Sequence, residues 1–254
     1  MASFNTYFKK EIIESVRTYR YLILAAGFIF WALLDPLMLK MLPLFLKTTI
    51  PPEMLSQLTN ITRESAFQNL LKDIFQISTL FVSFPLMGVL SSEVTGKKLV
   101  FPYSRGVRPS GMVLAKYINY TAAISVFILI AFLTNFLYIS TLFKVGTLAL
   151  NSVLQSAFLY IFYYAFVMAL LLFLSSLFKK SILAGISVLV LTYVSNIFNQ
   201  FALVRKYLPN YLLFKAGDSV VLDASLLPTY IITASLIILL VYFSIIRMKR
   251  IDVI

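Results

Sequence analysis

The 254-residue sequence predicts an all-α membrane protein with six transmembrane helices. Three observations carry that class. Sixty per cent of the residues are hydrophobic, and the mean hydropathy is +0.91. The apolar residues gather into six separated stretches, near 21–46, 74–92, 112–143, 151–178, 181–199 and 226–246. Each approaches or exceeds the roughly 20 apolar residues a spanning helix needs. The alternating ten-residue segments of an outer-membrane barrel are missing. In hydrocarbon the backbone must bond to itself, so these stretches are helices. The chain reads as one transmembrane domain, 1–254, because its longest non-spanning segments of about thirty residues are too short for an independent core.

The elements follow in order. Residues 1–20 place Phe4, Phe8, Ile12, Val16 and Tyr19 at intervals of three or four, with Lys9, Lys10, Glu14, Arg17 and Arg20 on other faces. This spacing predicts an amphipathic helix lying in the membrane interface ahead of the first span. The first span is interrupted by Asp35-Pro36 and by Pro43, so it is expected to finish near one of those prolines. Asp35 is the only acid well inside an apolar run, and an intramembrane carboxylate is a functional candidate by default. The plainer reading puts it at the outer end, paired with Lys40 or water. Segment 47–73 mixes Leu55, Leu58, Phe67, Leu70 and Leu71 with polar residues and is expected to form a short outer-surface helix.

Charge sets the orientation. With both termini inside, fourteen basic and four acidic residues fall on the inner side, a net +10. The outer side holds eight basic and six acidic residues, a net +2. Lys and Arg in short loops favour the cytoplasm, so both termini are expected there, in the cell membrane. The overall +12 is a topology signal and an attraction to anionic lipid, not a nucleic-acid footprint.

Absences prune the chemistry. No His and no Cys occur, which excludes histidine zinc sites, Ser-His triads, thiol catalysis and disulfides. No phosphate-binding Gly-x-x-x-x-Gly-Lys-Ser/Thr loop occurs either. The chain is expected to be no enzyme, with no cofactor or metal of its own. Ala216-Gly217-Asp218 resembles part of an aspartyl-protease motif, but no span supplies a second carboxylate in a fitting context.

The densest motif lies between spans two and three, over 91–111. It runs Ser91-Ser92-Glu93-Val94-Thr95-Gly96-Lys97-Lys98-Leu99-Val100-Phe101-Pro102-Tyr103-Ser104-Arg105-Gly106-Val107-Arg108-Pro109-Ser110-Gly111. A short helical stretch opens it, Pro102 ends that stretch, and Ser110 is placed to cap the next helix. So many apolar and aromatic residues in a short charged loop suit docking onto a soluble partner.

These residues make the chain resemble an ABC-2 type transporter permease, the membrane subunit of a class of ABC exporters. The matching positions are Glu93, Gly96, Pro102, Ser104, Arg105 and, at the base of span three, Lys116. The chain departs from the family pattern in that Thr95 precedes Gly96 and Ala115 stands before Lys116. The resemblance implies an interfacial elbow helix, six spans and a cytoplasmic coupling helix between spans two and three. It also implies an ABC ATPase subunit on a separate chain, which would carry the ATP and Mg. A second permease copy or a related permease would complete twelve spans. Glu93, Gly96, Lys97, Phe101 and Arg105 are the expected ATPase-coupling residues.

The later spans carry less. Ser175, Ser176, Ser181, Ala184, Gly185 and Ser187 flank the Lys179-Lys180 turn and read as close helix packing. Asn196, Asn199 and Gln200 share one helical face near the outer end of span five and are candidates for a translocation path. Two function classes stay open. One is the exporter permease. The other is a non-transporting membrane assembly or immunity-type protein that binds another membrane complex. A secondary transporter ranks third, because buried ionisable residues are scarce.

Overall fold

A computed structural model describes residues 2–46, 61–97, 99–100, 104, 106, 108–218 and 226–250. All regular structure among them is helical. A first helix, α1 (Ala2–Arg17), precedes six helices long and apolar enough to cross a membrane. These are α2 (Arg20–Pro43), α3 (Arg63–Thr95), α4 (Pro109–Leu142), α5 (Leu150–Leu177), α6 (Ser181–Gln200) and, last in the chain, α9 (Leu227–Lys249). Two short helices, α7 (Ala202–Arg205) and α8 (Tyr211–Ala216), join α6 to α9. The protein is a multi-pass membrane protein.

Helix α5 is the centre of the bundle and packs against α4, α6, α8 and α9. It buries Tyr160, Tyr163 and Tyr164 almost completely. Helices α6 and α9 leave most of their apolar surface uncovered, as at Ile182, Val190, Ile238 and Phe243. In water such faces would be a liability; against lipid tails they cost nothing.

Pro36 does not end the first span: the helical backbone runs through it to Leu46. Proline withholds the N–H that would bond the carbonyl four residues back, here Ala32. The buried Asn135 of α4 supplies the missing donor, its Nδ2 lying 2.9 Å from the Ala32 oxygen.

Helix α3 also begins earlier than the hydropathy suggests. Residues 47–60 of the expected outer-surface helix lie outside the described residues, but 63–73 are the first turns of span two itself. Thr62 and Ser65 cap the start reciprocally. Arg63 bonds the carbonyls of Phe143 and Ser140, and Glu64 accepts from Thr147 N at 2.6 Å. Ala66, Phe67, Leu70 and Leu71 then face the core at helical spacing.

Two π turns interrupt the spans where they meet, Ala26–Phe30 in α2 and Ile74–Ser78 in α3. Ser78 Oγ donates to Gly27 O at 2.9 Å. A Cβ on Gly27 would lie 2.2 Å from Phe81 Cβ, so only glycine admits this approach. Three tyrosine hydroxyls serve carbonyls in and beside the α3 π turn: Tyr160 at Leu71, Tyr164 at Ile74 and Tyr193 at Gln76.

Below Pro85, α3 loosens into a turn over 87–90 before the short helix Ser91–Thr95. Ser175 Oγ of α5 accepts from the N–H groups of Leu90 and Ser91 and donates to Met87 O. Ser91 and Ser181 hydroxyls meet at 2.7 Å. The small residues around the Lys179-Lys180 turn thus do pack closely, bringing α3, α5 and α6 together.

Candidate functional site

Two groups of polar side chains are candidates for a functional role. At the end of the bundle that holds Lys116, Lys179, Arg247 and the close of α3, an ion-pair cluster joins four elements, α1, α2, α3 and α4. Lys10 Nζ of α1 lies 2.6 Å from Glu93 Oε1, 3.2 Å from Glu11 and 3.1 Å from Glu14. Lys116 Nζ, at the base of α4, lies 2.6 Å from Glu11 and 3.0 Å from Glu93. Arg20 reaches Glu14 at 3.6 Å and donates to the Tyr120 hydroxyl at 2.7 Å. That hydroxyl also accepts from Ser15 and donates to Glu11. Three carboxylates therefore meet three cations, and the cluster is neutral.

Local structure explains the convergence. In α1, Tyr7, Glu11 and Ser15 recur every fourth residue and form the buried face. Ile12, Ile13 and Val16 are left on the outside. The buried face of α1 thus mixes Tyr7 with Glu11 and Ser15, while Lys9 and Arg17 stay exposed and part of the apolar stripe turns away. Tyr19 makes the corner into α2 in the left-handed region, at φ 58°.

Glu11, Glu93 and Lys116 are nearly inaccessible, with side-chain exposures of 0%, 4% and 1%. Burial disfavours the Lys10 ammonium, yet Glu93 and Glu11 outweigh it and push its pKa up. Burial likewise opposes the Glu14 carboxylate, but Lys10 above all holds its pKa below the ordinary range. Burial and the nearby Glu93 raise the Tyr7 phenol. Glu11, Glu14 and Glu93 lie close enough to share a metal ion. The ammonium groups of Lys10 and Lys116 already sit among them, so the cluster is an ion-pair clamp rather than a metal centre.

The expected coupling residues divide. Glu93 points inward, its carboxylate taken by Lys10 and Lys116. Gly96 and Lys97 are exposed, with Lys97 at φ 51° where the short helix stops. Phe101 and Arg105 lie outside the described residues. Lys10 and Glu11 carry no signal of this role in the sequence, because their partners stand about a hundred positions away.

At the opposite end of the bundle a cavity of about 360 Å³ opens between α3, α5, α6 and α8. Asn196 and Asn199 line it together, Asn199 Nδ2 donating to Asn196 Oδ1 at 3.1 Å. Gln200 is exposed and stands outside the lining. The rest of the wall combines Gln68, Lys72, Gln76 and Asp218 with Leu71, Phe75, Tyr160, Leu213 and Phe214. The buried Asn210 shapes this end: it donates to Thr192 O and accepts from Ser195 Oγ. Such a wall offers amide hydrogen bonds beside aromatic surface, a setting for an amphipathic molecule. Asp35 lies elsewhere, buried, and accepts from Asn69 Nδ2 of α3 at 2.7 Å rather than pairing with Lys40. The same amide is 3.4 Å from Asp73.

Comparison with known protein families, with characterised proteins and with solved structures finds no match to this chain.

Proposed function

We propose that this chain is the permease subunit of an ATP-binding cassette exporter, forming the translocation path while a separate ATPase subunit hydrolyses ATP. One observation carries the reading. The segment that starts at Ser91 is tied by Glu93, through Lys10 and Lys116, to both α1 and the base of α4. A coupling element must pass a push from a soluble motor to several helices at once. A buried ion-pair clamp does that, because its members cannot part without stranding a charge in a dry site.

In this reading α1 is the amphipathic interfacial helix and 91–111 the coupling segment. Gly96, Lys97, Phe101 and Arg105 meet the ATPase, and Glu93 transmits the contact inward. Both termini are cytoplasmic, in the cell membrane. A second permease copy or a related permease completes the membrane unit, and Asn196 and Asn199 line part of the path, with Gln200 at its rim. ATP and Mg belong to the partner.

The test is whether an ATPase subunit co-purifies with this chain from its native membrane. Lys97→Glu and Arg105→Glu should each weaken ATPase capture at least tenfold and abolish permease-stimulated hydrolysis. Full binding and full stimulation by both variants would sink the coupling role. An intact complex that contains membrane partners and no ATPase would favour the non-transporting alternative.

A further inference from the structure

The geometry points to a binding site for a phosphate group, supplied by an anionic phospholipid, in a cavity formed by the ends of α5 and α9 beside α3. The cavity measures about 310 Å³. Lys179, Arg247 and Arg250 line it together with Ser91 and Ser175. Among the described residues no acid lines it and none of the three cations has an acidic partner. The nearest charge cluster offers no relief: Glu93, two residues from Ser91, is spent on Lys10 and Lys116. All three cations are exposed at the cavity mouth, and an anion seated between them would offset their mutual repulsion. Arginine's planar fork fits phosphate oxygens in pairs, and lysine adds a point charge.

The surroundings favour a lipid as the source of the phosphate. Leu177 lines the cavity and is exposed. Away from Arg247, α9 presents Phe243, Leu239 and Tyr242 outward, and the Phe243 ring lies against Phe173 of α5. A headgroup seated on the cations would leave its acyl chain along this apolar strip. Basic pockets between spanning helices are a recurrent solution for anionic headgroups.

The experiment uses the full chain in mild detergent, with phosphatidylglycerol or phosphatidylcholine added. Native mass spectrometry reads the fraction that keeps one lipid. The native chain should retain phosphatidylglycerol and not phosphatidylcholine. Arg247→Gln with Arg250→Gln should reduce retention at least tenfold, while Lys9→Gln with Arg17→Gln, which removes two exposed charges elsewhere, should leave it unchanged. If the double variant fails to elute as a folded species, Lys179→Gln alone is read the same way, against a threefold loss. Inorganic phosphate at millimolar concentration separates the sources. No displacement of the lipid supports the headgroup, and full displacement supports a phosphate site filled from solution. Equal retention by both variants, or equal loss from both, overturns the proposal. So does loss of a co-purifying protein from the Arg247/Arg250 variant with lipid retention intact.

Discussion

Asn135 Nδ2 on α4 donates to the Ala32 carbonyl on α2, the oxygen that Pro36 leaves without a helical partner. A bent or broken span is thereby kept whole by a residue 103 positions away. Replacing Asn135 by Leu strands a buried carbonyl, which costs about 1–3 kcal/mol. Pro36→Ala restores the N–H at its source. The expected result is a lower unfolding midpoint for Asn135→Leu and partial recovery when Pro36→Ala is added. Strict additivity of the two changes would show that they do not share this bond.

Glu93 and Lys97 should separate stability from partner binding. Removing one member of a buried ion pair costs about 3–5 kcal/mol. Glu93→Ala is therefore expected to lower the melting point of the isolated chain, with no ATPase present. Lys97 is exposed, and exposed substitutions usually stay within about 0.5 kcal/mol. Lys97→Glu should leave the melting point alone and weaken ATPase capture. Identical melting curves for Glu93→Ala and the native chain would contradict the clamp.

The clamp also has a pH window. The Glu14 pKa is lowered from 4.5 in the fold, so its contribution is complete above 4.5 and lost as pH falls through the depressed value. The Lys10 pKa is raised from 10.5, so its contribution is complete below 10.5 and lost as pH rises through the raised value. Melting points measured from pH 3 to 11 should form a plateau that falls away on the acid side. Glu14→Gln should flatten that acid limb. An unchanged acid limb in this variant would remove Glu14 from the cluster's energetics.

Gly27→Ala is expected to destabilise by about 1–3 kcal/mol through overpacking. The new methyl would lie 2.2 Å from Phe81 Cβ and 2.4 Å from Cγ, so the two spans must separate. Gly106→Ala offers the contrast, because nothing lies within 4 Å of its Cβ and the cost there is backbone strain alone, at φ 76°. Thermal midpoints in detergent compare the two directly.

The six spans are legible in the sequence because apolar runs of that length have no other economical reading. The start of α3 is not, because Arg63 to Asp73 mixes charges with a buried stripe. Its signal is the Thr62–Ser65 cap followed by Ala66, Phe67, Leu70 and Leu71 at helical spacing. Passage of α2 through Pro36 is invisible because the rescue comes from another helix. Lys116 and Glu93 stand out as motif residues, but their partners Lys10 and Glu11 look like ordinary solvated charges. Only the folded bundle brings position 10 to position 93. The cavity beside α6 is half legible: Asn196 and Asn199 share a face, whereas Gln68 and Gln76 arrive through packing.

The tyrosines around the π turn of α3 have a consequence for what the cavity exposes. A π turn accommodates one residue more than an α-helical turn. Expelling that residue would rotate the part of α3 before the turn by about 100° and shift it about 1.5 Å along its axis. Lys72, Phe75 and Gln76 would sweep to new positions on the cavity wall, while Glu93, on the other side of the turn, stayed in its clamp. Tyr160, Tyr164 and Tyr193 hold the carbonyls that such a rotation would have to release. Three phenols on two neighbouring helices thus fix the one register of α3 in which Lys72, Phe75 and Gln76 face the cavity.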